Sequence, residues 1–241
     1  MAKKPPKLSV KSAAQQCLRL EPPKPNLKKS IQGASLKRGF LVFRKNYKPI
    51  PLEAFGKNPY KTLVSTILSS RTKDEVTFEA SQRLFRVAPN IKKLEKLTQS
   101  EIRDLIYPVG FYKTKAKYLK QVSKLIVSEF HGKIPLTRKE LMSLPGVGRK
   151  TANLVLNRAF GIPAIAVDTH VHKISNLLGW VKTKTPEQTE KELTRLLPRK
   201  YWKDVNRLMV SIGRQYSSRK KLVKFFKKEK LLIRSNCHAD S

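Results

Sequence analysis

From Ser35 onward, apolar residues recur at three- and four-residue spacing almost without interruption, and that period restricts the chain to helices. Most of the runs open at a helix-starting signal. Asn58 then Pro59 supply an N-cap and a first-turn proline, after which Tyr60, Leu63, Val64, Ile67 and Leu68 share one face. Asp74 is expected to cap the next helix, with Phe78, Leu84 and Phe85 inward. Thr98 with Glu101 and Thr137 with Glu140 read as capping boxes, and Leu119, Val122 and Ile126 mark a longer helix between them. Thr185 then Pro186 opens a helix carrying Leu193, Leu196 and Leu197, which Pro198 closes. A further amphipathic helix spans 201–216, with Trp202, Val205, Leu208, Met209 and Ile212 as its buried set. Alternating strand-like runs bounded by tight Asn-Gly turns are missing, and there is no internal repeat. The expected class is all-α with short connections.

Charge decides the kind of partner. In 241 residues, 52 Lys and Arg stand against 17 Asp and Glu, a net +35. Salt adaptation runs through acidic residues and heat adaptation through mixed-sign networks, so a one-sided surplus points to a polyanion, nucleic acid first. Residues 1–34 read as a tail, because KKPPK and EPPKPNLKKS combine Pro with Lys and lack helical spacing. It reads as a solvated arm and, compatibly, as one that adds sequence-blind phosphate affinity, and KKPPK also admits nuclear import. At the other end, 217–234 threads Leu222, Val223, Phe225, Phe226, Leu231, Leu232 and Ile233 through a run of Lys. Such a helix can dock on the body with a basic face outward, cover DNA phosphates or lie on a membrane surface. No apolar run is long enough to span a membrane, and no apolar segment of a secretory signal opens the sequence. Cys17 and Cys237 have no metal spacing and suggest no disulfide framework, which fits a reducing compartment.

The chemistry concentrates in LPGVGRKTAN, at 144–153, and VDTHV, at 167–171. Gly146 and Gly148, separated by one residue between helical segments, allow a tight turn that exposes successive N–H groups to an anion. Leu144 and Val147 can anchor that turn, and Arg149 follows at once. Lys150 then falls in the first turn of a helix, where the dipole and Arg149 disfavour the ammonium. That suits a Schiff-base nucleophile, and a plain phosphate contact is the equal alternative. Asp168 precedes a helical run, so it reads as an N-cap; held there ionised, it can also stabilise positive charge on a sugar or take a proton from Lys150. His170 and His172 lack further ligands in metal spacing, so no metal site is expected, and His170 reads as a packing or hydrogen-bonding residue.

At these residues the sequence resembles the endonuclease III family of helix-hairpin-helix DNA glycosylases. LPGVGRKTANLVLNRAFGIPAIAVDTH matches the family's hairpin-to-aspartate segment nearly residue for residue, and the likeness runs from about 58 to 216. It implies a two-lobed helical fold: a six-helix barrel lobe at 52–162, and a second helical lobe joining 35–51 to 163–241. DNA would lie across the cleft, bound by a monomer. By position Lys150 would be the nucleophile and Asp168 the essential carboxylate. The lysine would attack the sugar C1′, expel the base and form a Schiff base, and β-elimination would nick the strand. The base must first be flipped out. The loops that plug the gap would be SSRTKD, with Arg71, and GFYKTKA, with Phe111 and Tyr112.

Two positions depart from the family. Many relatives carry Gln where this chain has Arg71, which bears on the tolerated opposite base. The four cysteines of the usual iron–sulfur cluster are replaced by Ser217, Lys224, Lys227 and Ile233, so no cofactor is expected, and the basic C-terminal helix is expected to make the cluster loop's DNA contacts. The resemblance thus implies a base excision repair glycosylase and AP lyase for oxidised pyrimidines on damaged or abasic duplex DNA. It would be cytoplasmic and nucleoid-associated, or nuclear in a eukaryote. Beside it stand a mismatch or oxidised-purine glycosylase and a non-catalytic helix-hairpin-helix DNA-binding protein.

Overall fold

The structure is a computed structural model that describes residues 28–232, with side chains from residue 35. Among these residues there are helices and connections and no strand. The chain divides into two compact units, one of 51–164 and one joining 28–50 to 165–232.

The first unit begins with a 3-10 turn, Pro51–Phe55, followed by α2 (Pro59–Ser69), α3 (Asp74–Val87), α4 (Ile91–Lys96) and α5 (Gln99–Ile106). It continues with α6 (Tyr112–Glu129), α7 (Arg138–Met142) and α8 (Arg149–Phe160). Asn58 caps α2 by accepting from Lys61 N at 3.0 Å, and Pro59 holds the first turn. Tyr60, Leu63, Val64, Ile67 and Leu68 are all buried, so the apolar face reads as expected. Around them close Leu84 of α3, Leu94 of α4, Ile102 and Ile106 of α5, and Leu119, Val122 and Ile126 of α6. Each such side chain contributes about 1.5–3 kcal/mol by leaving water. Thr98 and Glu101 form the complete capping box. Thr137 caps α7 from its hydroxyl, which itself donates to the Glu140 carboxylate at 2.7 Å.

Asp74 is not a cap. Lys73 occupies the N-cap position without a side-chain bond, and Asp74 is the first helical residue. There its charge, with that of Glu75, meets the positive end of the helix dipole, which explains an acid at this point equally well. Phe78 is half-buried, stacked on Phe55 at 5.3 Å.

The second unit holds α1 (Lys28–Lys45), α9 (Thr169–Leu177), α10 (Pro186–Leu196), α11 (Trp202–Gln215) and α12 (Arg219–Lys228). Helix α1 starts at Lys28, so the basic tail is shorter than the expected 1–34. The last proline of that stretch is Pro25, and Leu36, Phe40 and Phe43 bury one face of α1 strongly enough to outweigh two glycines and weak patterning. Phe40 stacks on Tyr201 at 4.2 Å and on Trp180 at 5.6 Å. Beyond α1, the Ser211 hydroxyl of α11 accepts from Lys48 N and donates to Lys48 O. The rest of the tail lies outside the described residues.

Thr185 and Gln188 complete a capping box on α10. Helix α11 buries Val205, Leu208, Met209 and Ile212, whereas Trp202 is only half-buried, its indole N–H donating to Leu197 O. Tyr201 belongs to a preceding 3-10 turn and Tyr216 to the C-cap, so the helix is shorter than 201–216. Helix α12 is also shorter than the run 217–234; Ser218 caps it, and Leu222, Phe225, Phe226 and the following Leu231 are buried. Tyr216 stacks on Phe225 at 4.3 Å. Ile233 and Arg234 lie outside the described residues.

Candidate active site

The turn between α7 and α8 is held from inside. Leu144 and Val147 are buried, and Val147 N donates to Leu144 O at 3.1 Å. The two glycines then do different work. Gly146 sits at φ +76°, and a Cβ there would lie 2.6 Å from the Tyr118 ring, so conformation and space both demand glycine. Gly148 has an extended backbone open to any residue, and a Cβ there would meet nothing within 4 Å. The expectation that both glycines make the turn is therefore corrected: Gly146 bends the chain, and Gly148 leaves open space before α8. As N-cap it also offers no side chain to the first amides of that helix, so the N-terminus keeps its capacity for an anion. Arg149 and Lys150 stand exposed in this first turn, which contains no acidic residue.

Asp168 belongs to the second unit. It is reached through an apolar stretch, Ile162 to Val167, buried at every residue but Pro163 and held by two amides: Asn157 Nδ2 donates to Ala164 O at 2.8 Å, and Asn206 Nδ2 to Ala166 O at 3.0 Å. Half-buried Asp168 caps α9, its Oδ1 accepting from Val171 N at 2.8 Å. Next to it, His170 presses on Gly213, where a Cβ would lie 2.1 Å from the ring Nδ1. His172 Nδ1 and Thr189 Oγ1 share a hydrogen bond of 2.7 Å. Both histidines thus have packing or bonding roles, and no group of three His, Cys, Asp or Glu among the described residues could hold a metal.

Arg71 and Phe111 come together on the first unit. Both occupy left-handed backbone, at φ 52° and 57°, and both are exposed. The Arg71 guanidinium lies over the Phe111 ring, 5.6 Å from its centroid. Tyr112 is half-buried and meets Tyr107 edge-on at 5.2 Å. Beneath them lies Lys115, which the motifs of the sequence do not single out. It is 5% exposed, and its ammonium donates to Leu68 O at 2.7 Å, to Ser70 O and to Thr72 Oγ1 at 3.1 Å. Burial pushes its amine down to about 8. The available signal was register: Lys115 falls on the stripe of Ala116, Leu119, Val122 and Ile126, where a charge needs a reason.

With this geometry in hand, comparison with known proteins decides the family. Residues 64–199 match the model of the HhH-GPD superfamily base excision DNA repair proteins. Endonuclease III of Thermotoga maritima is 46% identical over 172 residues, covering 71% of this chain and 81% of that one. The chain belongs to the endonuclease III family. Endonuclease III-like protein 1 of Mus musculus is 46% identical over 159 residues, covering 65% of this chain, which spans about half the length of that relative (53%). A solved structure described as a trapped endonuclease III–DNA covalent intermediate superposes with a TM-score of 0.69 at 29% identity, covering 80% of this chain and 89% of the other. Like the endonuclease III enzymes it resembles, the protein is a base excision repair DNA glycosylase with AP lyase activity.

Proposed function

We propose that this enzyme removes oxidised pyrimidines from duplex DNA and cuts the resulting abasic site, with Lys150 as nucleophile and Asp168 as its carboxylate partner. One observation carries the reading: Lys150 is exposed in the first turn of α8, two residues after an N-cap, Gly148, that has no side chain to cover the helix end. A phosphate seated on that helix end would hold a flipped nucleotide beside the amine. Lys150 Nζ attacks C1′, the C1′–N bond breaks, and the base leaves with its bonding electrons and takes up a proton. Asp168 receives the proton from Lys150 and balances the positive charge that builds on the sugar. Ring opening gives the C1′ iminium; loss of the C2′ proton then expels the 3′ phosphate, and water releases the lysine. The cap uses Oδ1 of Asp168, leaving Oδ2 for this work.

Arg71, Phe111 and Tyr112 fill the step left by the flipped base, an aromatic and a cation being suited to an unstacked gap. Leu144 and Val147 anchor the hairpin from the core, and Gly146, Gly148 and Arg149 are its exposed residues for the DNA backbone. The enzyme works as a monomer and without an iron–sulfur cluster. Its two cysteines, Cys17 and Cys237, lie outside the described residues, and Ser217, Lys224 and Lys227 stand at three of the family's ligand positions. That stretch forms α12, whose inward face is filled by Leu222, Phe225 and Phe226, while Lys220, Lys221, Lys224, Lys227 and Lys228 face solvent. These lysines supply phosphate contacts. No described helix is long and apolar enough to cross a membrane. An enzyme acting on DNA would work in the cytoplasm with the nucleoid, or in a nucleus.

The test is borohydride reduction with a duplex carrying one abasic site. A covalent adduct that disappears in Lys150→Ala is expected; no adduct from the intact protein overturns the reading. Duplexes carrying single oxidised pyrimidines, oxidised purines or mismatches identify the base, and preference for a purine or mismatch would correct the substrate.

A further inference from the structure

Lys115 touches both loops that would enter the DNA. Its backbone N–H donates to Phe111 O at 3.0 Å, one turn into α6. Its side chain reaches the other loop, bonding Leu68 O, Ser70 O and Thr72 Oγ1 around Arg71. Thr72 Oγ1 accepts as well from Gly110 N at 3.1 Å, so one hydroxyl joins the two segments a second time. The carbonyls of Leu68 and Ser70 come from the end of α2, where acceptors lack helical partners and the dipole favours a cation. This arrangement is costly. A buried ammonium gives up its water, and an alkyl side chain would fill the same stripe without that cost. Arg71 and Phe111 are also both held in left-handed backbone, which persists only where the surroundings enforce it.

We propose that Lys115 is a positioning residue that locks the Arg71 loop onto the Phe111 loop, so that both side chains enter an opened base step as one rigid unit. The inference rests on the base-extrusion reading above. Lys115 does not touch DNA or the reacting atoms. It removes the conformational cost of ordering two loops at the moment of flipping, which then lowers the barrier to extrusion and leaves the chemistry of Lys150 unchanged.

The experiment pairs Lys115→Met with Thr72→Ala, which removes the shared hydroxyl from an exposed loop and keeps the idea testable should Lys115→Met not fold. The probe is a duplex carrying thymine glycol next to 2-aminopurine, whose fluorescence rises when stacking is lost. The expected result is a smaller rise and single-turnover excision slower by about tenfold or more, the scale of a misplaced group. Borohydride trapping on preformed abasic DNA should persist, which separates failure here from failure of Lys150 as nucleophile. In an Arg71→Ala, Phe111→Ala background, Lys115→Met should cost nothing further, because its effect runs through those two side chains. A fluorescence rise and excision rate equal to the unaltered protein in folded variants, or a loss that simply adds to that of Arg71 and Phe111, would overturn the proposal.

Discussion

The guanidinium carbon of Arg71 lies 5.6 Å from the centroid of the Phe111 ring, and both residues hold left-handed backbone. An exposed cation–π pair contributes little, about 0.5–1 kcal/mol, while each left-handed side-chain-bearing residue costs about 1–2 kcal/mol. The pair is therefore not there for stability. Phe111→Gly relieves the backbone at a ring that is 61% exposed, so its melting temperature should equal or exceed that of the unaltered protein. Its single-turnover excision of thymine glycol should nevertheless fall. Undiminished excision would remove Phe111 from the extrusion step.

Asp168 has a structural duty and a proposed chemical one, and two substitutions separate them. Asn caps a helix about as well as Asp, so Asp168→Asn should retain thermal stability while losing base excision. Asp168→Ala loses the cap too and should be less stable by about 1 kcal/mol. Calorimetry and excision assays on the pair read this directly; full activity in Asp168→Asn would reduce the residue to its cap.

Helix α12 carries its charges where stability does not ask for them. Arg219, Lys220 and Lys221 open it with no acidic residue in the first turn, against the helix dipole. Replacing Lys220, Lys224 and Lys227 by Gln should leave the fold intact, because all three are exposed. The plot of log affinity for duplex DNA against log salt should become shallower by about 0.9 for each phosphate that a lysine no longer neutralises. An unchanged slope would take α12 out of the DNA interface.

Tyr60 sets a limit at high pH. Its hydroxyl donates to Ala88 O at 2.7 Å, and burial pushes its pKa well above the ordinary tyrosine value. The folded protein keeps a proton that the unfolded chain loses, so the contribution is whole below pH ~10 and declines as pH rises beyond it. The stability difference between the unaltered protein and Tyr60→Phe should be constant from pH 7 to 9 and shrink above about 10. A pH-independent difference would contradict the burial of this hydroxyl.

Much of this is legible in the sequence. Asn58, Thr98 and Thr185 cap the helices they announce, because a cap is a contact across three residues and needs only local sequence. Asp74 is ambiguous for the same reason: an acid one position inside a helix and an acid at its cap look alike in sequence, and only backbone geometry separates them. The start of α1 is not legible locally, because its stability comes from Phe40 and Phe43 packing on Trp180 and Tyr201, far along the chain. Lys150 and Asp168 stand out in the sequence through their motif, whereas Lys115 is hidden between Lys113 and Lys117, two lysines that face solvent.

By itself the sequence determined the helical class, the helix caps at Asn58, Thr98, Thr137 and Thr185 and the chemistry on offer, since each rests on neighbours three or four residues apart or on residue type. Tertiary structure alone decided which glycine turns the hairpin and which leaves room before Lys150. It also decided that one lysine of GFYKTKA gives up water to bind oxygens 43 to 47 residues away. Burial of a charge depends on what distant segments bring to it, and no local spacing records that.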